Sequence, residues 1–512
     1  MRRVVVAVDL LPLRPGGENG GIKPAIITLL RAVRAAAQNK LVFVFLTNSA
    51  SHLQVRELAA PEDILICVLE EAAQPFDEFK TREGDFKLVP VPANLVQELG
   101  VDLLYCPFGA TTFHVPDIPT IALIADLLHK DYPFTLTEQQ IAEREAYLQK
   151  TMRDATLLQS ISRSGMERLT EHYGVPRQRL FYTYLPIHRR LESARVEGTA
   201  PAKPITARPF FFYPANLWLH KNHEVLLLSY ARYCQNAGDE AWDLVLTFHE
   251  DVRAEYLKSL TKILGVSDKV HFLGFLDEAG LHQIWVEAGA LVFPSLHEGF
   301  GIPLLEAMHY GVPIITSQEF ALREVAGDAC YPFDPRKPAS LSEALREVSR
   351  NEELRAGLVR AGRQRLELFD VKAAAHVLFE AFSSVIRTEG DLPRKPRYAQ
   401  VPPLLSTPTP GSARRWEIDI HFQAPASSPR CSIYLDDLPF AFFRPAAGAK
   451  QKFSFVCRPE GRTLALRLNA GEGSNGNGSM DGGDVSITRI VAREEQGGRV
   501  LLYENSPPPC PP

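Results

Sequence analysis

Val292–Pro313 reads VFPSLHEGFGIPLLEAMHYGVP. An apolar run ends at Pro294–Ser295, and a glycine-flanked turn follows at Glu298-Gly299-Phe300-Gly301. Apolar spacing resumes near Ile302–Pro303, where proline suits the first turn of a helix. The pattern predicts a strand feeding a helix. Open N–H groups at a helix start attract anions, and Gly299 and Gly301 let a ligand approach the main chain. Glu298 stands before this helix and Glu306 about one turn inside it, where its side chain should point back along the same face. Two carboxylates so spaced can accept hydrogen bonds from two hydroxylated rings. Taken alone, they read more simply as a turn glutamate and a solvated helix glutamate.

Working outward, Phe210–Tyr213, Leu244–Phe248, Val270–Leu273, Ala290–Phe293 and Val312–Thr316 are short apolar runs with little polar alternation, as in strands covered on both faces. Helical spacing falls between and after them, at His223–Gln235, Glu255–Leu264, Glu278–Glu287 and Leu304–Tyr310. Ser340–Val348 and Val371–Ile386 close the series. An earlier series has Val4–Val8, Leu41–Leu46, Thr120–Ile124 and Ala155–Ile161 as strands. Its helices are Lys23–Gln38 and Ser162–Tyr173, the latter with a serine cap and ended by Gly174 and Pro176. Alternation of this kind implies right-handed crossovers and an α/β chain of two Rossmann-like, doubly wound domains facing a cleft, over residues 1–190 and 205–388. Residues 389–412 are rich in proline and read as a linker. Residues 413–505 change to short alternating strands (Trp416–Phe422, Ser432–Leu435, Lys452–Val456, Thr463–Leu468, Val485–Ala492), the signal of a small antiparallel β-sandwich.

Composition agrees. The 512 residues are 45% apolar and 23% charged, so a disordered or fibrous chain is excluded. The net charge of −5 argues against nucleic acid as a partner. The longest apolar runs fall far short of the roughly 20 residues that span a bilayer. The opening MRRVVVAVDL is interrupted by Asp9 and reads as a first buried strand rather than an export signal. Seven scattered cysteines with no CxxC pair point to a reducing compartment, hence a cytoplasmic protein.

The segment HEGFGIPLLEAMHYGVPIITSQEFALREVAGDA, residues 297–329, resembles the signature of the retaining glycosyltransferases of family 4, which have the GT-B fold. The resemblance covers roughly residues 1–388 and is tighter in the second half. The family's Glu-x7-Glu motif falls on Glu298 and Glu306. The resemblance implies transfer of a sugar from a nucleotide-diphosphate donor with retention of configuration. It further implies donor binding mainly by the second domain, acceptor binding mainly by the first, and no required metal or separate cofactor. Glu298 would contact donor sugar hydroxyls and Glu306 the ribose.

FFYPANLWLHKNH, residues 211–223, resembles the segment in which an Arg and, five residues later, a Lys neutralise the leaving diphosphate. Lys221 matches the Lys, and Asn216 stands at the Arg position. A cation and backbone amides at a helix start can hold a diphosphate in any case. The wording is similar to a subgroup that includes bacterial mannosyl- and rhamnosyltransferase-like enzymes, which implies a hexosyltransferase of polysaccharide or lipopolysaccharide synthesis. Its partners would be a nucleotide sugar and a saccharide or lipid-linked saccharide acceptor. The loop Arg14–Gly21, with Gly16, Gly17, Gly20 and Gly21, matches the family loop that faces the donor; alone it is a turn. IALIADLLHKDYP, residues 121–133, retains Asp126 but has Ala125 where many relatives have His; His129 or His114 could compensate. His297 is a further cleft candidate, and Phe272–Leu276 resembles the base-side loop. The alternative is a catalytically silent GT-B protein that binds a sugar nucleotide or acts as a scaffold. Attachment to the inner face of the cell membrane, oligomeric state, and the role of exposed aromatics such as Tyr434, Phe440, Phe442 and Phe443 stay open.

Overall fold

The computed structural model describes residues 3–14, 21–38, 40–48, 50–60, 63–67, 95–187, 205–249 and 251–386. Beyond these it describes the strand backbones between 405 and 504. Its strands belong to two parallel sheets, of seven and six strands, and two antiparallel sheets of four. By compactness the chain divides into one unit of residues 1–18, 39–120 and 385–512 and another of 19–38 and 121–384, a division different from the 190/205 boundary read from sequence.

The first unit holds β1 (Val4–Leu10), β2 (Leu41–Thr47), β3 (Ile64–Cys67) and β4 (Leu103–Cys106), parallel in the order β3-β2-β1-β4. Val6, Val8, Phe43, Phe45 and Leu104 are all fully buried, the burial a two-faced parallel strand requires. The same unit contains β14 (Leu405–Pro408), β15 (Trp416–Gln423), β16 (Arg430–Leu435), β17 (Leu438–Phe443), β18 (Lys450–Cys457), β19 (Thr463–Asn469), β20 (Ser486–Glu494) and β21 (Arg499–Glu504). They form two antiparallel sheets, β14-β19-β16-β17 and β18-β15-β20-β21. The five tail strands expected from alternation are among them. Tyr434, Phe440, Phe442 and Phe443 lie on β16 and β17, and their side chains are outside the described ones.

The second unit holds β5 (Thr120–Ile124), β6 (Leu157–Ser160) and β7 (Leu180–Tyr182), which run parallel. Its other sheet has β8 (Phe210–Pro214), β9 (Asp243–Thr247), β10 (Val270–Gly274), β11 (Ala290–Phe293), β12 (Ile314–Ser317) and β13 (Tyr331–Phe333). The order β10-β9-β8-β11-β12-β13 is the 3-2-1-4-5-6 order of a doubly wound nucleotide-binding sheet. Phe210–Phe212 and Leu291–Phe293 are at most 2% exposed, and Trp285, with no exposed surface, packs edge-on to Phe212 from helix Glu278–Glu287. Helices end where the chain supplies the chemistry. Ser162 Oγ accepts from Gly165 N–H at 3.0 Å to start helix Arg163–Tyr173, and Gly174 closes it at φ +63°. Among the described residues no helix is long and apolar enough to cross a membrane.

Candidate functional site

In an open α/β sheet, the crevice for ligands lies beyond the carboxyl ends of the strands where the strand order reverses. Here that point is between β8 and β11. The segment after β8 carries Lys221 and the segment after β11 carries Glu298. Lys221 Nζ donates to Glu298 Oε1 at 2.5 Å, with the two side chains 12% and 14% exposed.

Several local interactions bring the pair together. Leu219–Lys221 form one tight turn, and Asn222 adopts φ +63°, a conformation asparagine tolerates better than most residues. The Asn222 amide donates to Pro294 O at 3.1 Å and to Pro335 O at 2.9 Å. Tyr213 Oη donates to Lys221 O at 2.8 Å and lies 3.1 Å from Ser295 Oγ. Leu296 N–H donates to His220 O at 2.8 Å. The lysine loop is thus tied to the end of β11 by side chains and backbone. The rings of Trp218 and Phe293 lie 5.8 Å and 6.0 Å from Nζ, within cation–π range.

Burial pushes the Glu298 carboxyl pKa up, but Lys221, then His220 and the hydrogen bonds from Lys221 and Ser295, outweigh it and hold it below the ordinary carboxylate value. His220 is pushed down to about 4, by burial first and by Lys221 second. The site therefore presents an ionised carboxylate, a cation and a neutral imidazole at neutral pH.

Beside this pair lies a small pocket lined by Ala125, Asp126, Asp131, Arg168, His297, Glu298 and Gly299, among others. Asp126 follows β5, and its Oδ1 accepts from Leu128 N–H at 3.0 Å and from Arg144 at 3.1 Å. Burial alone would raise its pKa; Arg144, His297, the Leu128 amide and His220 lower it on balance. Gly299 packs so closely on the Ala125 carbonyl that a Cβ there would sit 2.1 Å from the oxygen. Among the described residues no group of three or more His, Cys, Asp or Glu side chains is arranged to hold a metal ion.

The residues picked out by sequence fare differently. Asp126, His297, Glu298 and Gly299 share the pocket, and Lys221 joins them through Glu298. Glu306 is buried on helix Ile302–Tyr310 and is not among the residues lining that pocket. Gly301 starts that helix at φ +95°, and no side chain caps its first turn. Phe300 sits in the turn with its ring in the core. That ring is 2% exposed and packs against Tyr184 and Phe369, so only its backbone can face a ligand. Asn216 accepts from His249 N–H at 3.2 Å. Gly21 begins helix Ile22–Ala36 and lies against Ile302, where an added Cβ would come within 2.6 Å of Ile302 Cδ1. Gly16, Gly17 and Gly20 lie outside the described residues. Neither histidine proposed to replace the one absent at Ala125 lines the pocket. His129 bonds Tyr173 at 2.9 Å and His114 bonds Thr120 at 3.0 Å, and the pocket's imidazole is His297. Asp131, Arg168 and Asn222 were missed, because each acts through a partner distant in sequence.

Residues 200–365 match the family Glycosyl transferases group 1. An O-antigen chain mannosyltransferase B of Escherichia coli is 25% identical over 41% of this chain and 56% of its own length. A D-inositol 3-phosphate glycosyltransferase of Nocardia farcinica is 24% identical over 73% of this chain and 85% of its own. The match to the first of these spans little more than half its length. Among solved structures, Anabaena HepE in complex with UDP-glucose superposes with a TM-score of 0.56 over 75% of this chain and 100% of its own, at 16% identity, a likeness of fold.

Proposed function

We propose that the chain, whose residues 200–365 match the family Glycosyl transferases group 1, moves a hexosyl group from a nucleotide-diphosphate sugar to a saccharide or lipid-linked saccharide acceptor. Mannosyl, rhamnosyl and glucosyl groups are the candidates, with retention of configuration. The proposed setting is cell-surface polysaccharide synthesis at the cytoplasmic face of the membrane, a setting supported by the O-antigen relative. No separate cofactor takes part in the proposal. The observation that carries it is the Lys221–Glu298 pair at the sheet's switch point, at 2.5 Å.

In the proposed reaction the bond from the anomeric carbon to the diphosphate oxygen breaks. A bond to the acceptor oxygen forms on the same face, and the acceptor's hydroxyl proton passes to the leaving phosphate oxygen. The protein's task is then orientation and charge stabilisation. Lys221 and the uncapped first turn after Gly299-Phe300-Gly301 meet the developing negative charge. Glu298 holds sugar hydroxyls and favours positive charge at the anomeric carbon. Glu306 is assigned to the ribose, Asp126 and His297 to the pocket side of the reacting sugar, and the Gly16–Gly21 loop to the diphosphate.

Thermal-shift measurements against UDP-, GDP- and dTDP-sugars, followed by turnover with mixed saccharide acceptors, test this reading. Stabilisation by one donor class and release of its nucleoside diphosphate are expected. Stabilisation without turnover under any acceptor supports the silent binder instead, and the absence of both stabilisation and turnover refutes the proposal.

A further inference from the structure

His297 is held as few pocket side chains are. Its Nε2 lies 2.9 Å from Asp131 Oδ2, and the two side chains are 4% and 1% exposed. The Asp131 carboxylate is ion-paired with Arg168, and its Oδ1 lies 3.0 Å from His172 Nε2. An ionised carboxylate only accepts hydrogen bonds, so the proton between Asp131 and His297 belongs to Nε2.

The ring's faces and edges are also fixed. Tyr132 meets it edge-on at 6.2 Å and Phe320 lies against it at 5.5 Å. Phe320 has φ +40°, a conformation bulky residues rarely adopt, and such strain persists only where the surroundings over-determine it. The guanidinium of Arg168 stacks 4.9 Å from the same Phe320 ring, which closes a cradle of Asp131, Arg168, Phe320 and Tyr132 around one imidazole. His297 Nδ1 has no hydrogen-bond partner among the described residues, and His297 lines the pocket with Asp126 and Glu298.

We propose that Asp131 is a positioning residue that locks His297 in the Nε2–H form and so turns a bare Nδ1 lone pair into an acceptor for a hydroxyl of the sugar in the pocket. The proposal rests on the sugar-transfer reading given above. Asp131 lies 166 residues from His297 in sequence, and the segment 121–133 that contains it gives it no role when read alone. Burial holds the His297 pKa down, and the positive charges of Lys221 and Arg168 add to this against the raising effect of Asp126 and Glu298. The Asp131 carboxylate at 2.9 Å opposes that lowering, and the geometry itself requires only that Nε2 carry the proton; in the neutral ring Nδ1 is then the unprotonated nitrogen. With the two neighbouring carboxylates the pocket then offers acceptors, suited to a ligand rich in hydroxyl donors. A ligand lacking the matching hydroxyl leaves Nδ1 desolvated and unpaired, a recognised source of discrimination.

The test is the nitrogen spectrum of the full-length chain labelled with 15N-histidine at pH 7.5, with the His297 signals assigned by their loss in His297→Gln. A pyrrole-type Nε2 and a pyridine-type Nδ1 are expected, with the Nδ1 signal moving when the turned-over nucleotide sugar is added. In Asp131→Asn the amide can donate to Nε2, so the Nδ1–H form should gain population and kcat/KM for the donor should fall about tenfold. An Nδ1–H form or an imidazolium in the wild type overturns the proposal. So does an Asp131→Asn variant with unchanged tautomer and unchanged kcat/KM. The wild-type spectrum decides the tautomer even if the variant folds poorly. Absence of donor turnover by the wild-type chain counts against the function, not against the tautomer.

Discussion

Gly299→Ala places one methyl group where the structure has no room for it. The new Cβ would lie 2.1 Å from the Ala125 carbonyl oxygen, 3.1 Å from its carbon and 3.2 Å from Ile161 Cδ1. The nearest neighbour is backbone, so no rotamer change relieves the clash. The loop 297–301 must retreat by roughly 1 Å to restore ordinary contact, carrying His297 and Glu298 with it. A displacement of that size typically costs about 10²-fold in rate, or roughly 2.7 kcal/mol in transition-state stabilisation. Overpacking should cost stability as well, about 1–3 kcal/mol, a fall of several degrees in melting midpoint at most. The variant should thus fold, melt slightly early and release nucleoside diphosphate about a hundred times more slowly than the wild type. Turnover within threefold of wild type at an unchanged midpoint would show that Gly299 does not abut Ala125, and the description of the pocket would fail.

Other perturbations follow the same logic. Asn222→Ala puts a Cβ-bearing residue without a side-chain amide at φ +63° and removes the bonds to Pro294 and Pro335. It should destabilise the chain by roughly 2–4 kcal/mol in a denaturant titration, and a change under about 0.5 kcal/mol would contradict the tie between the two loops. The His223 pKa is pushed down to about 3, by burial first and then by Arg253 and Lys221. Between its unfolded value near 6.5 and about 3 the unfolded chain binds this proton and the folded chain does not, so stability is complete above roughly pH 6.5 and falls on acidification. His223→Leu should flatten that limb of the melting-midpoint curve, and a limb of unchanged slope would argue against a buried neutral ring. Glu298 has a lowered carboxylate pKa, so its stabilisation is complete above roughly pH 4 and is lost as pH falls through its lower folded value. Glu298→Gln should reduce the stability lost in that more acidic window, which a urea titration at stepped pH would read.

Much of the fold is visible in the sequence because parallel strands covered on both faces become uninterrupted apolar runs. Thr120–Ile124, Ala290–Phe293 and helix Glu278–Glu287 are bounded as expected. Helix Glu138–Asp154 was missed for a physical reason. It is largely exposed and polar, and it is held by a capping box at Thr137 and i,i+4 pairs such as Lys150–Asp154 rather than by an apolar stripe. Lys221 and Glu298, 77 residues apart, could be named because each sits at a strand-to-helix turn of a recognisable motif. Asp131 could not. In sequence it is one acid among HKDYP, and only the approach of His297 and Arg168 gives it a role. The place of the Phe300 ring could not be read from its glycine-flanked turn, because Tyr184 and Phe369, distant in sequence, claim it for the core.

The most direct measurement is nucleoside-diphosphate release from the preferred nucleotide sugar by wild type, Lys221→Ala and Glu298→Ala, with melting midpoints recorded alongside. Each substitution should lower turnover at least about tenfold, equivalent to roughly 1.4 kcal/mol, in a chain that still folds. Wild-type rates of donor hydrolysis and transfer in both variants would contradict the account.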